Sequence, residues 1–334
     1  VRVGVLGAGS IGCYVGGRLV AAGTDVTFVG RQRVVDELAE HGMTLSDRRG
    51  TVTVAATDLQ VTTDDDVLAA ADVVAVCVKS AQTPQAAEIL SRVLAPGAVV
   101  LSLQNGVRNV PVLRSALPGH TVLGAVVDFN VVARGDGAFH CGLDGALTIE
   151  EPVDRALVDA LRHAGLTVRT TGAIAPAQWA KLLVNLNNAI SALSDAPTRD
   201  LMARPGYRQV VAALLAEGIA VLRVAGIRPG RVRGVAPGLM LRVLRLPDPL
   251  ARRLLAARLP ADAQARSSMW EDLTRGRPTE VDHLNGEIVA LARRSGVDAP
   301  VNRRIVELVH DAERAGRGSP ALSPAELRAA LRGR

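Results

Sequence analysis

The sequence predicts an α/β chain in which a doubly wound, mainly parallel sheet is followed by an all-α domain. Three observations carry this prediction. Short apolar runs alternate with helical patterns over residues 1–172, a glycine-rich turn joins the first run to the first helix, and strand signals give way to successive helices from residue 173. The 334 residues suffice for two domains at roughly 150 residues each. The expected boundaries are 1–172 for the sheet domain, 173–316 for the helical domain and 317–334 for an arginine-rich tail free to be mobile.

Residues 1–6 read as a strand, 10–22 as a helix of small residues ended by Gly23, and 25–29 as the next strand. The runs VVAVCV (73–78) and VVLSL (99–103) suit parallel strands buried on both faces, with a crossover helix over 83–94 between them. Segments 122–133 and 138–149 flank Arg134-Gly-Asp-Gly137 and read as a strand pair closing the domain, which a helix and strand over 154–170 complete. Helices are expected at 175–194, 206–226, 238–258, 262–275, 279–295 and 300–315, and the tail 316–334 reads as Gly/Pro/Ser-rich and then helical, in LSPAELRAALRGR. The basic, amphipathic stretch within 228–265 could lie on a membrane. The reading adopted is a helical hairpin packed on the second domain or on a dimer mate.

Gly7-Ala8-Gly9-Ser10-Ile11-Gly12 is a G-x-G-x-x-G turn between a strand and a helix. The first glycine permits the tight turn, the second lets backbone approach a pyrophosphate, and the third lets helix pack on strand. The helix N-terminus supplies N–H donors and a positive dipole end, so a dinucleotide is expected. An NAD site would place a carboxylate at the end of the second strand. Here that strand ends Val29-Gly30-Arg31-Gln32-Arg33. Two arginines suit a 2′-phosphate, which points to NADP(H); surface arginines in an arginine-rich chain are the plainer alternative.

Of the 39 basic side chains only Lys79 and Lys181 are lysines. A guanidinium cannot release a proton near neutral pH and an amine can, so both lysines are candidates for work that arginine cannot do. Codon bias with chance is the competing explanation. In WAKLLVNLNNAISAL, Lys181 and Asn185 are four apart and share a helix face, with Asn188 beside them. An amine flanked by carboxamides in an apolar helix is costly to bury without a purpose. Such a site suits a carbonyl substrate. Ser268 and Asp272 are again four apart, and Glu280 follows Gly276-Arg-Pro278 in the first turn of the next helix, where the dipole favours a carboxylate in any case. Asn105-Gly106 follows the C-terminal end of a strand, where such folds bind ligands, although Asn-Gly is also a common turn pair. The six histidines are scattered, and no nucleophile elbow appears.

Hydrophobic residues at 48% and charged ones at 22% exclude a disordered chain. No run approaches the roughly 20 apolar residues of a membrane helix. The N-terminal stretch resembles a secretory leader in hydropathy, but its glycine spacing is that of a nucleotide loop. It is read as structure and the chain as cytoplasmic. Cys13, Cys77 and Cys141 form neither a disulfide framework nor a metal-ligand pattern. No metal is expected. The net charge of +6 is spread along the chain, and seven aromatics are too few to stack on bases. Nucleic acid is therefore not an expected partner, and a phosphorylated cofactor or plain solvation accounts for the charge.

The segments GAGSIG, VCVKSAQ, LQNGV, GAFHCGLDGALTIE, the helix around Lys181 and SSMWEDLTRGRPTEVDHLNG together resemble the ketopantoate reductase (2-dehydropantoate 2-reductase) family over roughly 1–315. The resemblance implies a Rossmann-type domain that binds NADPH and a helical domain of the 6-phosphogluconate dehydrogenase C-terminal type. It also implies reduction of the 2-oxo group of ketopantoate to pantoate in a cleft between domains, within pantothenate and coenzyme A synthesis. By resemblance Lys181 is the general acid, with Asn105 and Glu280 beside the reacting centre. Cofactor contacts would come from the glycine loop, Arg31, Lys79, Gln82, Asn105 and Glu280. The substrate would be held by Lys181, Asn185, Asn188 and Ser268, with Asp272 in support. A homodimer is kept as a candidate assembly. In the family a second asparagine usually follows the first by four, whereas Asn188 follows Asn185 by three. The rival readings are therefore a reductase of another 2-oxo acid or related carbonyl compound in a specialised pathway, and a non-catalytic NADP(H)-binding sensor.

Overall fold

The computed structural model describes residues 1–256 and 266–332. Its first compact unit, Val1–Ile174, contains an eight-stranded and a four-stranded sheet. The strands are β1 (Val3–Leu6), β2 (Val26–Val29), β3 (Met43–Asp47), β4 (Gly50–Val54), β5 (Gln60–Thr62), β6 (Val73–Val76), β7 (Val99–Ser102), β8 (Thr121–Val127), β9 (Asn130–Gly135), β10 (Ala138–Leu143), β11 (Ala146–Glu150) and β12 (Thr167–Thr171). Helices α1 (Ser10–Ala21), α2 (Gln32–His41), α3 (Thr83–Val93), α4 (Asn109–Ala116) and α5 (Arg155–His163) lie between them.

The large sheet runs β12-β11-β8-β7-β6-β1-β2-β5. Pairing is parallel throughout except between β8 and β11. Chain order proceeds outward from β1 in both directions, so this is the doubly wound, Rossmann-type arrangement that the sequence predicts. The all-buried β1 and β6 are its centre, as expected of apolar runs covered on both faces.

The strand pair expected over 122–133 and 138–149 is corrected to four strands shared between two sheets. β8 and β11 join the large sheet antiparallel to each other, while β9 and β10 form a hairpin in the second sheet, ordered β4-β3-β10-β9. The chain switches sheets at Asp128 and Gly145. Asp128 N–H donates to Ala146 O at 2.9 Å, and a Cβ at Gly145 would collide with the Asp128 carbonyl. Apolar alternation continues through both segments, so periodicity alone does not mark the switch.

Helix α1 lies between the sheets and is tied to the second one by a buried polar cluster. Arg18 Nη2 donates to Asp47 Oδ2 at 2.6 Å, Tyr14 Oη reaches the same oxygen at 3.3 Å, and Arg49 Nη2 donates to it at 2.8 Å. Burial pushes the Tyr14 phenol up to about 12, so it stays a donor. Burial works to raise the Asp47 carboxyl, but hydrogen bonds from Arg49 and the charge of Arg18 hold it below its ordinary value. We expect Asp47→Asn to destabilise the fold by about 3 kcal/mol near pH 7, the cost of leaving a buried charge unpaired. Because the folded carboxyl is depressed, its contribution is complete above the unfolded value of about 3.9 and is lost as pH falls through the lower folded one. Urea unfolding of both proteins should therefore show the gap closing toward acid pH; a gap independent of pH would contradict the assignment.

The second compact unit begins at Ala175. Its helices are α6 (Ile174–Asn185), α7 (Asn187–Ser194), α8 (Thr198–Ala203), α9 (Pro205–Val224), α10 (Pro237–Leu244), α11 (Asp248–Ala256), α12 (Ser268–Thr274), α13 (Asn285–Arg294), α14 (Pro300–Ala315) and α15 (Pro324–Arg332). Four expectations change. The helix over 175–194 is interrupted at Leu186. The helix over 238–258 divides before Asp248, because Pro247 lacks an N–H and restrains the preceding residue; residues 257 and 258 lie outside the described residues, as do 262–265 of the next expected helix. The helix over 279–295 starts with an isolated 3₁₀ turn, Val281–His283, and the α-helix proper begins at Asn285. The tail forms a helix as expected, α15, but is docked instead of mobile, with Leu327 fully buried, Leu322 N–H donating to Leu193 O at 2.8 Å and Tyr207 Oη donating to Leu322 O at 3.1 Å. Its isolated leucines gave no sign of this docking because α9 supplies the other half of the interface. No helix among the described residues is long and apolar enough to cross a membrane.

Candidate active site

The glycine loop follows the C-terminal end of β1. Gly7 has φ +105°, and a Cβ there would come 2.7 Å from Val78 N, so both conformation and space demand glycine. Gly7 and Ala8 N–H both donate to Val29 O, at 2.9 and 3.1 Å, which fixes the loop against β2. Gly9 is the N-cap of α1. It has no side-chain cap, and a Cβ added to it would meet nothing within 4 Å. With no acidic residue in the first turn and open space beside Gly9, the backbone N–H groups of Ser10, Ile11 and Gly12 form a helix N-terminus suited to a diphosphate. These residues fit a dinucleotide.

At the end of β2, Gly30 packs against Ala8, where a Cβ would approach the Ala8 methyl to 2.8 Å. Arg31 follows, exposed, as the residue preceding α2. The two arginines expected to share a phosphate are differently engaged: Arg33 Nη1 donates to Glu37 Oε2 at 2.6 Å, while Arg31 makes no ion pair among the described residues. A single exposed guanidinium is thus available beside the second strand.

The loops after β6 and β7 are locked together by buried polar side chains. Lys79, half-buried, precedes the 3₁₀ turn Ser80–Gln82. Ser80 Oγ donates to Asn105 O at 3.2 Å, and Asn109 Nδ2 donates to the same carbonyl at 2.5 Å. Thr83 Oγ1 donates to Asn109 Oδ1 at 2.8 Å and accepts from Gln104 Nε2 at 2.8 Å; Gln104 also donates to Val78 O at 3.0 Å. The structure therefore brings Lys79, Gln82 and Asn105 to one end of adjacent strands, the end that also carries the glycine loop. Asn109, Thr83 and Gln104 went unnoticed in the sequence; the Asn105/Asn109 spacing of four was the available signal. We expect Asn109→Ala to lower unfolding free energy by about 1–3 kcal/mol, the cost of stranding buried partners, and to weaken dinucleotide binding as the loop loosens. Calorimetry on the variant tests both. Cys77, at the base of this region, is no rival nucleophile, since burial pushes its thiol up to about 12.

In the second unit, Lys181 and Asn185 lie on the last turns of α6, Lys181 half-buried and Asn185 buried. Asn188 lies beyond the interruption on α7, so the expected continuous face is corrected to two segments. Asn187 Nδ2 takes Val184 O at 2.6 Å, a local bond of the kind that competes with a helix ladder. Ser267, missed beside Ser268, caps α12: its Oγ accepts from Trp270 N–H at 3.1 Å and donates to Asn188 O at 2.9 Å. Ser268 is thereby the first residue of a helix anchored to the Asn188 segment. Asp272 is only 2% exposed and pairs with Arg277 at 3.3 Å, a position that supports the chain rather than one open to solvent. Glu280 is buried and precedes the 3₁₀ turn instead of occupying the first turn of an α-helix, because Leu284 (φ −113°, ψ −85°) separates the turn from α13. Its approach is held by Thr279 N–H, which donates to Glu313 Oε1 at 2.8 Å. No group of three or more His, Cys, Asp or Glu side chains is placed to hold a metal among the described residues.

Both units match one family. The model described as ketopantoate reductase PanE/ApbA matches residues 3–154, and its C-terminal counterpart matches 173–313. The chain belongs to the ketopantoate reductase family. It is 34% identical over 324 residues to the 2-dehydropantoate 2-reductase of Halobacterium salinarum, covering 95% of this chain and all of that one. The enzyme of the same name from Archaeoglobus fulgidus is 32% identical, with 93% and 98% covered. Among solved structures, a PanE/ApbA family ketopantoate reductase from Ralstonia eutropha JMP134 superposes with a TM-score of 0.81 at 32% identity, covering 95% of this chain and all of that one. D-mandelate dehydrogenase with NADH shares the fold, with a TM-score of 0.78 at 20% identity over 95% of this chain and 99% of that one. Ketopantoate reductases are pyridine-nucleotide-dependent oxidoreductases, and the glycine loop has the form that such a cofactor requires.

Proposed function

We propose that the protein reduces 2-dehydropantoate to pantoate with NADPH, in pantothenate and coenzyme A synthesis. The observation that carries this reading is the retention of an amine, Lys181, one helical turn ahead of the buried amide of Asn185, in a chain whose other basic side chains, Lys79 apart, are all arginine. The bound nicotinamide supplies a hydride to the 2-oxo carbon. Gly7, Ala8, Gly9, Ser10, Ile11 and Gly12 hold the diphosphate through backbone N–H groups, Arg31 answers the 2′-phosphate, and Lys79, Gln82, Asn105 and Glu280 border the nicotinamide and its ribose. Lys181 Nζ donates a hydrogen bond to the substrate carbonyl and delivers its proton as the alkoxide develops. Asn185, Asn188 and Ser268 hold the substrate's hydroxyl and carboxylate, and Asp272, one turn after Ser268 on α12, supports them.

Reduction of a different 2-oxo acid is the second reading, favoured by the three-residue Asn185/Asn188 spacing and the interruption between them. NADPH oxidation followed with 2-dehydropantoate beside a panel of 2-oxo acids, with NADH as control, separates the two. Turnover of 2-dehydropantoate well above the panel supports the first. Preference for another acid moves the protein to a different pathway with the same chemistry. Tight NADPH binding without turnover of any would overturn both.

A further inference from the structure

A buried polar chain lies behind the interruption between α6 and α7, and nothing in hydride or proton transfer requires it. Asn285, the first residue of α13, and Asn302, in the first turn of α14, are both 0% exposed. Glu217 on α9 anchors the chain: its Oε1 accepts from Asn302 N–H and Nδ2, each at 2.8 Å, and its Oε2 accepts from Val301 N–H at 2.9 Å. These bonds satisfy donors that the start of α14 would otherwise leave unpaired. Asn302 Oδ1 then accepts from Asn285 Nδ2 at 3.1 Å, and the same amide donates to Leu186 O at 3.4 Å.

Leu186 is the residue at which α6 gives way to α7, next to Asn185 and two before Asn188. Three alternate carbonyls around this point are each taken by a side chain: Val184 by Asn187, Leu186 by Asn285 and Asn188 by Ser267. A carbonyl has a second lone pair for such a bond. Asn285 Oδ1, in contrast, is buried with no hydrogen-bond partner among the described residues, a cost that an apolar side chain of the same size would not incur. The amide is therefore poorly explained as packing and well explained by the carbonyl it holds.

We propose that Asn285, held by Asn302 and Glu217, is a positioning residue for the substrate: it fixes the backbone at Leu186 and so the relation of Asn185 and Asn188 to Lys181. The proposal rests on the reading of Lys181 as proton donor and of the two asparagines as substrate ligands. Asn285→Leu keeps the branching and the number of side-chain heavy atoms and removes the hold. With 2-dehydropantoate and NADPH, kcat/KM for the keto acid should fall about 10- to 100-fold, the scale of a misplacement of roughly 1 Å. The Kd for NADPH, measured by fluorescence titration, should stay within about twofold. A lower melting temperature with kcat/KM preserved would reduce Asn285 to a structural residue and overturn the proposal, as would an equal loss of NADPH affinity. If Asn285→Leu does not accumulate as folded protein, Glu217→Gln, which removes one carboxylate acceptor without changing shape, is read by the same two constants. Lys181→Ala run in parallel separates the failures. Full turnover there removes the proton-donor reading itself, whereas lost turnover there with Asn285→Leu unimpaired removes only the positioning role.

Discussion

Replacing Lys181 by alanine is expected to lower turnover of 2-dehydropantoate by about 10²- to 10⁴-fold, the usual contribution of a positioned acid, while NADPH still binds. The physical reason is the charge that develops on the carbonyl oxygen as hydride reaches the adjacent carbon. Without an amine on α6 that charge falls on water or on neighbouring amides, which donate a hydrogen bond but do not deliver a proton. Lys181→Arg sharpens the test. A guanidinium keeps the positive charge and the donors but does not give up a proton near neutral pH. If electrostatic attraction were the whole role, arginine would restore most of the rate; if proton delivery is required, it restores substrate affinity and little turnover. Single-turnover rates for both variants, beside their NADPH dissociation constants, decide between these outcomes. Near-normal turnover in Lys181→Ala would sink the assignment.

Arg31→Ala should weaken NADPH by about 10- to 100-fold and leave NADH nearly unchanged. The magnitude follows from the roughly 1.5–3 kcal/mol of a hydrogen bond to a charged group, and the selectivity follows from geometry. Arg33 is engaged by Glu37 at 2.6 Å, so the loss of Arg31 is not made good by its neighbour. The discriminating measurement is the ratio of the two dissociation constants at fixed ionic strength, since exposed charges are screened by salt. An equal loss for both cofactors would remove the 2′-phosphate from the account of Arg31, and Arg33→Ala should change the ratio much less.

The doubly wound sheet was legible because apolar runs buried on both faces and a glycine turn are local signals, complete within a dozen residues. The second sheet was not. Its strand β3 alternates buried and half-buried residues and β4 is largely exposed, so neither is a continuous apolar run, and the pairing of β3 with β10 joins residues nearly a hundred positions apart. The site divides in the same manner. Gly7 to Gly12, Lys79 and Lys181 stand out by residue type, the first glycine for its backbone freedom and the lysines for a proton that arginine does not release, and the roles proposed for them start from that. Asn109, Ser267, Asn285 and Asn302 are ordinary polar residues whose work depends on which carbonyl lies opposite, and one sequence does not print that. The interruption at Leu186 was hidden for a related reason: the leucine itself is a good helix former, and of the side chains that mark the break only Asn187 is local, while Asn285 and Ser267 come from distant segments.

The contact between Gly30 and Ala8 sets the route by which cofactor preference in this chain can be changed. An NAD-type carboxylate belongs at the end of the second strand, which is position 30, yet any side chain there would begin 2.8 Å from the Ala8 methyl. An acidic residue at 30 would therefore push on the very turn that presents backbone to the diphosphate, and binding of either dinucleotide would suffer before selectivity improved. Ala8 and Gly30 are expected to behave as an epistatic pair: a carboxylate at 30 should be accommodated only with glycine at position 8, whereas position 31, which is exposed, should be exchangeable alone. On the proposed preference for NADPH, redesign toward NADH, by selection or by hand, is thus expected to pass through residue 31 first.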